Sequence, residues 1–239
     1  MTESLLNEKC VNFDENFKRI NEEMAAAALR SGREPSDVTL LAATKTVEPE
    51  VINHAIKGGL RAMGENRVQE YLSKYDALIK ENCIRHFIGR LQSNKVKYIV
   101  SKVSCVQSVD SVKLALEIAK ASRKREIVTD ILVEVNVGSE KSKGGIEPGN
   151  LYEFIDEIRV FSGICIKGLM CIPPIAANPA ESCRSFSKMH QYYVDMRSKK
   201  IDNIYMDTLS MGMSDDYIQA VEQGSTMVRI GSALFGRRV

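Results

Sequence analysis

A single (β/α)8 TIM barrel preceded by one extra helix is the fold class this sequence predicts, and three observations predict it. Eight short runs rich in Val, Ile and Leu recur along the chain, each followed by a stretch with helical spacing and a polar start. The runs are close to continuously apolar, which implies strands covered on both faces and therefore parallel pairing through right-handed crossovers. The length of 239 residues suits one α/β barrel of roughly 200–250 residues. An open doubly wound sheet is the runner-up, but its first turn usually carries a GxGxxG sequence, and here that turn reads TKTVEP.

Each element follows in order. Leu6, Cys10, Phe13, Phe17, Ile20 and Met24 lie at helical intervals until Gly32 and Pro35 end the pattern, so residues 1–33 read as an amphipathic leading helix. Residues 38–239 read as the barrel, and 1–239 as one domain. The strand runs are 38–44 (VTLLAAT), 61–65 (RAMGE), 85–89 (RHFIG), 103–109 (VSCVQSV), 128–137 (VTDILVEVNV), 164–172 (ICIKGLMCI), 204–210 (IYMDTLS) and 226–231 (TMVRIG). Helices are expected to start near Pro49, Asn66, Gln92, Asp110, Pro148, Asn178 and Ser214.

Composition narrows the function classes. With 33 basic and 31 acidic residues the net charge is +2, which carries no electrostatic footprint for nucleic acid or an anionic membrane. The first residues lack a basic-then-apolar leader, and no apolar stretch approaches the roughly 18 residues of a membrane span, so a cytoplasmic location is expected. The six cysteines are scattered without CxxC or Cys/His ligand spacing, which points to reduced core thiols, Cys171 among them, and to neither disulfide framework nor metal site.

In a barrel of this kind functional groups sit at the carboxyl ends of the strands, with phosphate held by the loops after strands seven and eight. Those loops read SMGMSDD and RIGSALFG. Both are small glycine-bearing turns that open a helix, so backbone N–H groups at Gly212, Gly231 and Ser232 and the hydroxyls of Ser210 and Ser232 are candidate anion ligands. Lys45 ends the first strand. A lysine shielded from water becomes a usable amine that condenses with an aldehyde, so lysine and phosphate cradle together call for a phosphate-bearing aldehyde. Pyridoxal 5′-phosphate and a sugar-phosphate aldol substrate both fit. In TMVRIG, alternation places Met227 and Arg229 on one face, and Arg229 either pairs with a carboxylate such as Asp207 or faces a pyridine nitrogen. In the second case a guanidinium, which only donates, keeps that nitrogen unprotonated and weakens the ring as an electron sink.

The stretches LLAATKTVEPEVI, GENRVQE, HFIGRLQSNKVK, GLMCIPP and LSMGMSDDYIQAVEQGSTMVRIGSALFG together resemble the pyridoxal phosphate homeostasis protein family over almost the whole chain. The resemblance implies a barrel like the N-terminal domain of alanine racemase (fold type III), with pyridoxal 5′-phosphate carried as a Schiff base on Lys45. It also implies that Ser210, Gly212, Gly231 and Ser232 hold the phosphate and that Arg229 faces the ring nitrogen. Asn66 and His86 match positions near the cofactor. From the residues alone, Asn66 also reads as a helix N-cap and His86 as a satisfied core histidine. The family has a lysine at the place of Lys143, in the loop 138–149, which reads either as a solvated loop or as a lid. The chain departs from the family pattern in SKGG, where SKSG is usual, and at Arg90 of IGRLQ, neither of which touches Lys45.

A two-base racemase needs an acid/base group on each face of the substrate carbon, and alanine racemase draws one from a second domain of a partner subunit. The sequence runs out after the eighth strand–helix unit, so the expectation is a non-catalytic carrier in pyridoxal phosphate homeostasis that affects amino and keto acid balance. Its expected partners are PLP-dependent apo-enzymes, and its expected state a monomer. The alternatives are a PLP-dependent amino acid racemase or related lyase using Lys45 as base, and a cofactor-free class I aldolase.

Overall fold

The computed structural model describes residues 2–138, 144–174, 177–199 and 201–236. Eight parallel strands close a barrel in sequence order: β1 (Thr39–Ala43), β2 (Ala62–Glu65), β3 (Ile84–Phe87), β4 (Cys105–Val109), β5 (Thr129–Glu134), β6 (Ile164–Met170), β7 (Ile204–Ser210) and β8 (Met227–Ile230), with β8 pairing back onto β1. Closure excludes the open sheet. The helices are α1 (Glu3–Arg30), α2 (Pro49–Lys57), α3 (Val68–Lys74), α4 (Val96–Ile99), α5 (Val112–Arg123), α6 (Leu151–Ile158), α7 (Pro179–Ser198), α8 (Tyr217–Glu222) and α9 (Ser232–Phe235).

The strands are apolar on both sides because each side meets a different core. Outward residues such as Ala42, Phe87, Val133 and Ile230 join the main cluster beneath the helices. Inward residues form two small clusters, Leu41 with Ala43, Ala62, Ile88 and Met227, and Cys105 with Leu132 and Met170. Each fully buried Ile or Leu contributes about 1.5–3 kcal/mol by leaving water. Alanines and Gly64 dominate the inner wall of β1 and β2, so that wall fills little of the barrel mouth.

Several boundaries differ from the expectation for local reasons. The run from Gln92 forms a 3-10 turn (Ser93–Lys95) before the single turn of α4. The run from Ser214 becomes helical only at Tyr217, because Asp216 Oδ1 accepts the Met213 N–H (2.7 Å) and holds a turn there first. The strand 128–137 ends at Glu134, and Val135 continues as an isolated parallel bridge to Ile146. Lys143 lies outside the described residues, whereas the end of its loop is tied to β5 by Ile146 N–H donating to the Glu134 carbonyl (2.7 Å). Gly168 sits at a register shift between β6 and β7 with φ +152°, where a Cβ would come within 1.8 Å of the Thr208 carbonyl oxygen.

α1 lies outside the barrel on α2, α8 and α9. Its buried face is Phe13, Ile20, Met24, Ala27 and Ala28, while Leu6, Cys10 and Phe17 are half-buried. Phe13 stacks on Phe17 (5.2 Å between centroids) and on Phe235 (5.5 Å), and Asn16 Nδ2 donates to the Leu234 carbonyl (3.3 Å). The leading helix therefore clasps the last turn of the described chain.

Candidate functional site

At the carboxyl end of the strands lies an open cavity of about 860 Å³. It is built where β1, β2, β3 and β8 end, and Lys45, Asn66, Arg229, Gly231 and Ser232 all line it. Five of the eight residues singled out in the sequence thus meet around one space. Ala43 and Ile88 form its floor, and Ile172 and Met213 stand half-open at its rim.

Lys45 is partly buried, and no described residue takes a hydrogen bond or ion pair from its Nζ. Its backbone, by contrast, is held on both sides. Before it, the Thr44 carbonyl accepts from Lys74 Nζ (2.8 Å). After it, Thr46 takes a left-handed backbone (φ 61°), with its N–H donating to Glu70. A β-branched residue there is strained by about 1–3 kcal/mol, and Glu70 and the Val47 N–H to Thr44 carbonyl bond (3.1 Å) hold it. Behind the loop Lys74, 6% exposed, pairs with Glu65, 1% exposed, at 2.8 Å, and Thr44 Oγ1 donates to the same carboxylate. Burial pushes the Glu65 carboxyl above its usual range despite Lys74 beside it, and its Oε2 has no hydrogen-bond partner among the described residues.

Arg229 is buried and points into the barrel with Met227, as alternation predicts. Its partner is not Asp207, which is exposed and lies 3.5 Å from Lys167. Instead Nη1 donates to Ser210 Oγ (2.6 Å) and Nη2 to the Cys171 carbonyl (2.9 Å). Ser210 Oγ donates to Gln107 Oε1 (2.7 Å), and Gln107 Nε2 donates to His86 Nδ1 (2.7 Å) and contacts Met227 Sδ (3.2 Å). This chain crosses the barrel under the cavity. It leaves the His86 proton on Nε2, and burial pushes the imidazole pKa down to about 4, so His86 is neutral. His86 and Ser210 are therefore one layer below the lining residues, as is Cys171, whose side chain is fully buried.

Gly212 also lies behind the lining. Its φ is +95°, its carbonyl accepts the Arg229 N–H (3.0 Å), and a Cβ would approach Ala220 Cβ to 2.5 Å. It shapes the turn after β7 and lets α8 pack close. Ser214, passed over in the sequence except as a helix start, lines the cavity and accepts the N–H groups of Gly231 (3.3 Å) and Ala233 (3.2 Å), tying the two glycine turns together. Asn66 does not cap α3: Arg67 holds the N-cap position without a side-chain bond. The Asn66 Oδ1 is instead buried in the cavity wall without a partner among the described residues, an acceptor for which none of them supplies a donor.

A family model described as "Alanine racemase, N-terminal domain" matches residues 18–239. The pyridoxal phosphate homeostasis protein of Aquifex aeolicus is 45% identical over 228 residues, covering 95% of this chain and 99% of that one. This chain belongs to the pyridoxal phosphate homeostasis protein family. A solved structure of PipY from Synechococcus elongatus, with PLP bound, is similar to this family member at 31% identity and a TM-score of 0.79, covering 91% of this chain and 100% of that one. Alanine racemase from Clostridium difficile shares the fold, with a TM-score of 0.68 and 17% identity over 92% of this chain and 56% of that one. Among the described residues, no helix is long and apolar enough to cross a membrane and no cluster of His, Cys, Asp and Glu could hold a metal ion.

Proposed function

We propose that this chain binds pyridoxal 5′-phosphate as a Schiff base on Lys45 and acts as a carrier in intracellular PLP homeostasis, without an enzymatic reaction of its own. One observation carries the reading: Lys45, whose amine has no partner among the described residues, opens onto the same cavity as the glycine and serine turn at Gly231 and Ser232. The names of the relatives and the PLP in the PipY structure support the choice of aldehyde.

The residues present fit that group. When bound, the cofactor supplies an aldehyde that accepts an amine and releases water. The backbone on either side of Lys45, fixed by Lys74 and Glu70, sets where that amine emerges. Ser214, Gly231 and Ser232 form the phosphate end, with Ser210 and Gly212 acting from behind, one by holding Arg229 and the other by shaping the turn. Arg229 would offer N–H donors that keep a ring nitrogen unprotonated, and Asn66 Oδ1, without a partner among the described residues, would accept from the ligand. The carrier reading gains support from the lining: its titratable groups among the described residues are Lys9, Lys45, Glu48, Asp215 and Arg229, and Glu48 is paired with Lys9. A shift in amino and keto acid balance would follow from delivery to PLP-dependent apo-enzymes. The protein is taken to work as a cytoplasmic monomer.

The test is titration of the purified protein with pyridoxal 5′-phosphate, followed by borohydride reduction and peptide mapping. The expected result is a visible Schiff-base band and a single reduced adduct on Lys45, both lost in Lys45→Ala. An adduct spread over surface lysines would overturn the site. Enzyme-like exchange of the α-proton of L-amino acids in deuterated water would overturn the carrier reading in favour of a racemase or lyase.

A further inference from the structure

We infer that α1 contributes a cation to the ligand: Lys9 leaves Glu48 and pairs with the phosphate of the incoming pyridoxal 5′-phosphate. The inference rests on the cofactor reading above and concerns a residue that precedes position 18, where the family match begins.

Lys9 lines the same cavity as Lys45 and Ser232. It sits one helical turn before Phe13, on the same face of α1, and Phe13 stacks on Phe235 of α9. That face therefore looks at the short turn that begins with Gly231 and Ser232. Lys9 Nζ lies 2.5 Å from Glu48 Oε1, with the two side chains 38% and 35% exposed. Ion pairs this open to solvent contribute little net energy and exchange readily.

Charge balance gives the pair a role. A phosphate monoester carries about −1.5 to −2 at neutral pH, and the turns at its proposed end offer only hydroxyl and N–H donors. The carboxylates lining the cavity, Glu48 and Asp215, repel it. Of the lining cations among the described residues, Lys45 is committed to the aldehyde, and Arg229 is held by Ser210 and the Cys171 carbonyl. Lys9 remains, on a flexible stem long enough to swing from one anion to another. Until ligand arrives, Glu48 keeps the ammonium at the mouth, and ligand entry exchanges one carboxylate partner for a more highly charged phosphate.

The experiment uses the full chain with Lys9→Gln and Glu48→Gln, each titrated with pyridoxal 5′-phosphate and with pyridoxal, which lacks the phosphate. The variant-to-wild-type ratio is compared for each ligand, since pyridoxal also closes on itself as a hemiacetal. A charge-assisted contact predicts that Lys9→Gln raises the Kd for pyridoxal 5′-phosphate about tenfold and leaves that for pyridoxal unchanged. Glu48→Gln, which frees the ammonium, tightens pyridoxal 5′-phosphate about threefold. If Lys9→Gln leaves both ligands unchanged, or weakens both equally, the inference is overturned. Failure of the cofactor reading itself is a separate outcome, in which wild type forms no Lys45 adduct with either aldehyde.

Discussion

Replacing Lys74 with methionine tests whether the loop bearing Lys45 is held by a buried charge pair. The Lys74 ammonium lies 2.8 Å from Glu65 Oε1 and 2.8 Å from the Thr44 carbonyl, and 3.6 Å from Glu70 Oε1. Methionine fills similar volume but leaves Glu65 with the Thr44 hydroxyl as its remaining donor among the described residues, its other oxygen having none there. Removing one partner of a buried pair costs about 3–5 kcal/mol, a large part of the stability of a typical domain. The sign with pH follows from Glu65. Burial already holds its folded carboxyl above the usual range, and losing Lys74 raises it further. The folded state then binds more protons than the unfolded one, so stability is gained as pH falls. Guanidinium unfolding followed by circular dichroism is therefore expected to show a loss of about 3–5 kcal/mol at pH 7.5, clearly smaller at pH 5. Lys74→Met with Glu65→Leu, which removes both charges, recovers most of the loss. A Lys74→Met penalty below about 1 kcal/mol, as for an exposed pair, or one independent of pH, refutes the reasoning.

Two further outcomes are expected. With a folded pKa of about 4 against an ordinary 6.5, His86 binds protons more readily in the unfolded chain. Stability then falls as pH drops below 6.5, by about 2 kcal/mol at pH 5 from this group; His86→Gln unfolded at pH 7.5 and pH 5 should lack that increment. Gly168→Ala places a methyl 1.8 Å from the Thr208 carbonyl oxygen at φ +152° and should cost about 3 kcal/mol or more by thermal or chemical unfolding, with the β6–β7 ladder losing amide-exchange protection first.

The barrel was legible in the sequence because parallel strands buried on both faces leave near-continuous apolar runs, and IYMDTLS matches β7 residue for residue. Lys45, Arg229, Gly231 and Ser232 could be found because strand ends and glycine turns are marked locally. What could not be read were partnerships across the barrel. Gln107 carries a signal, a lone amide inside VSCVQSV, but its link from His86 to Ser210 exists only once β3, β4 and β7 are curled together. Lys74 and Glu70, four residues apart on α3, look like a surface pair, and only closure buries Lys74 against Glu65. Asn66 looked like an N-cap because its type suits one. The helix starts two residues later, which leaves its amide oxygen for the cavity.

The clasp between Phe13 and Phe235 has a consequence for biosynthesis. α1 leaves the ribosome well before its seat exists, because β8 and the turn after it must also emerge: α8 and α9 form much of the surface it covers. Throughout translation Phe13, Ile20 and Met24 are a greasy stripe awaiting its lid. Contacts between elements this far apart in sequence make the seating of α1 a late and slow event, so a nascent chain stalled before β8 should be held by chaperones through α1.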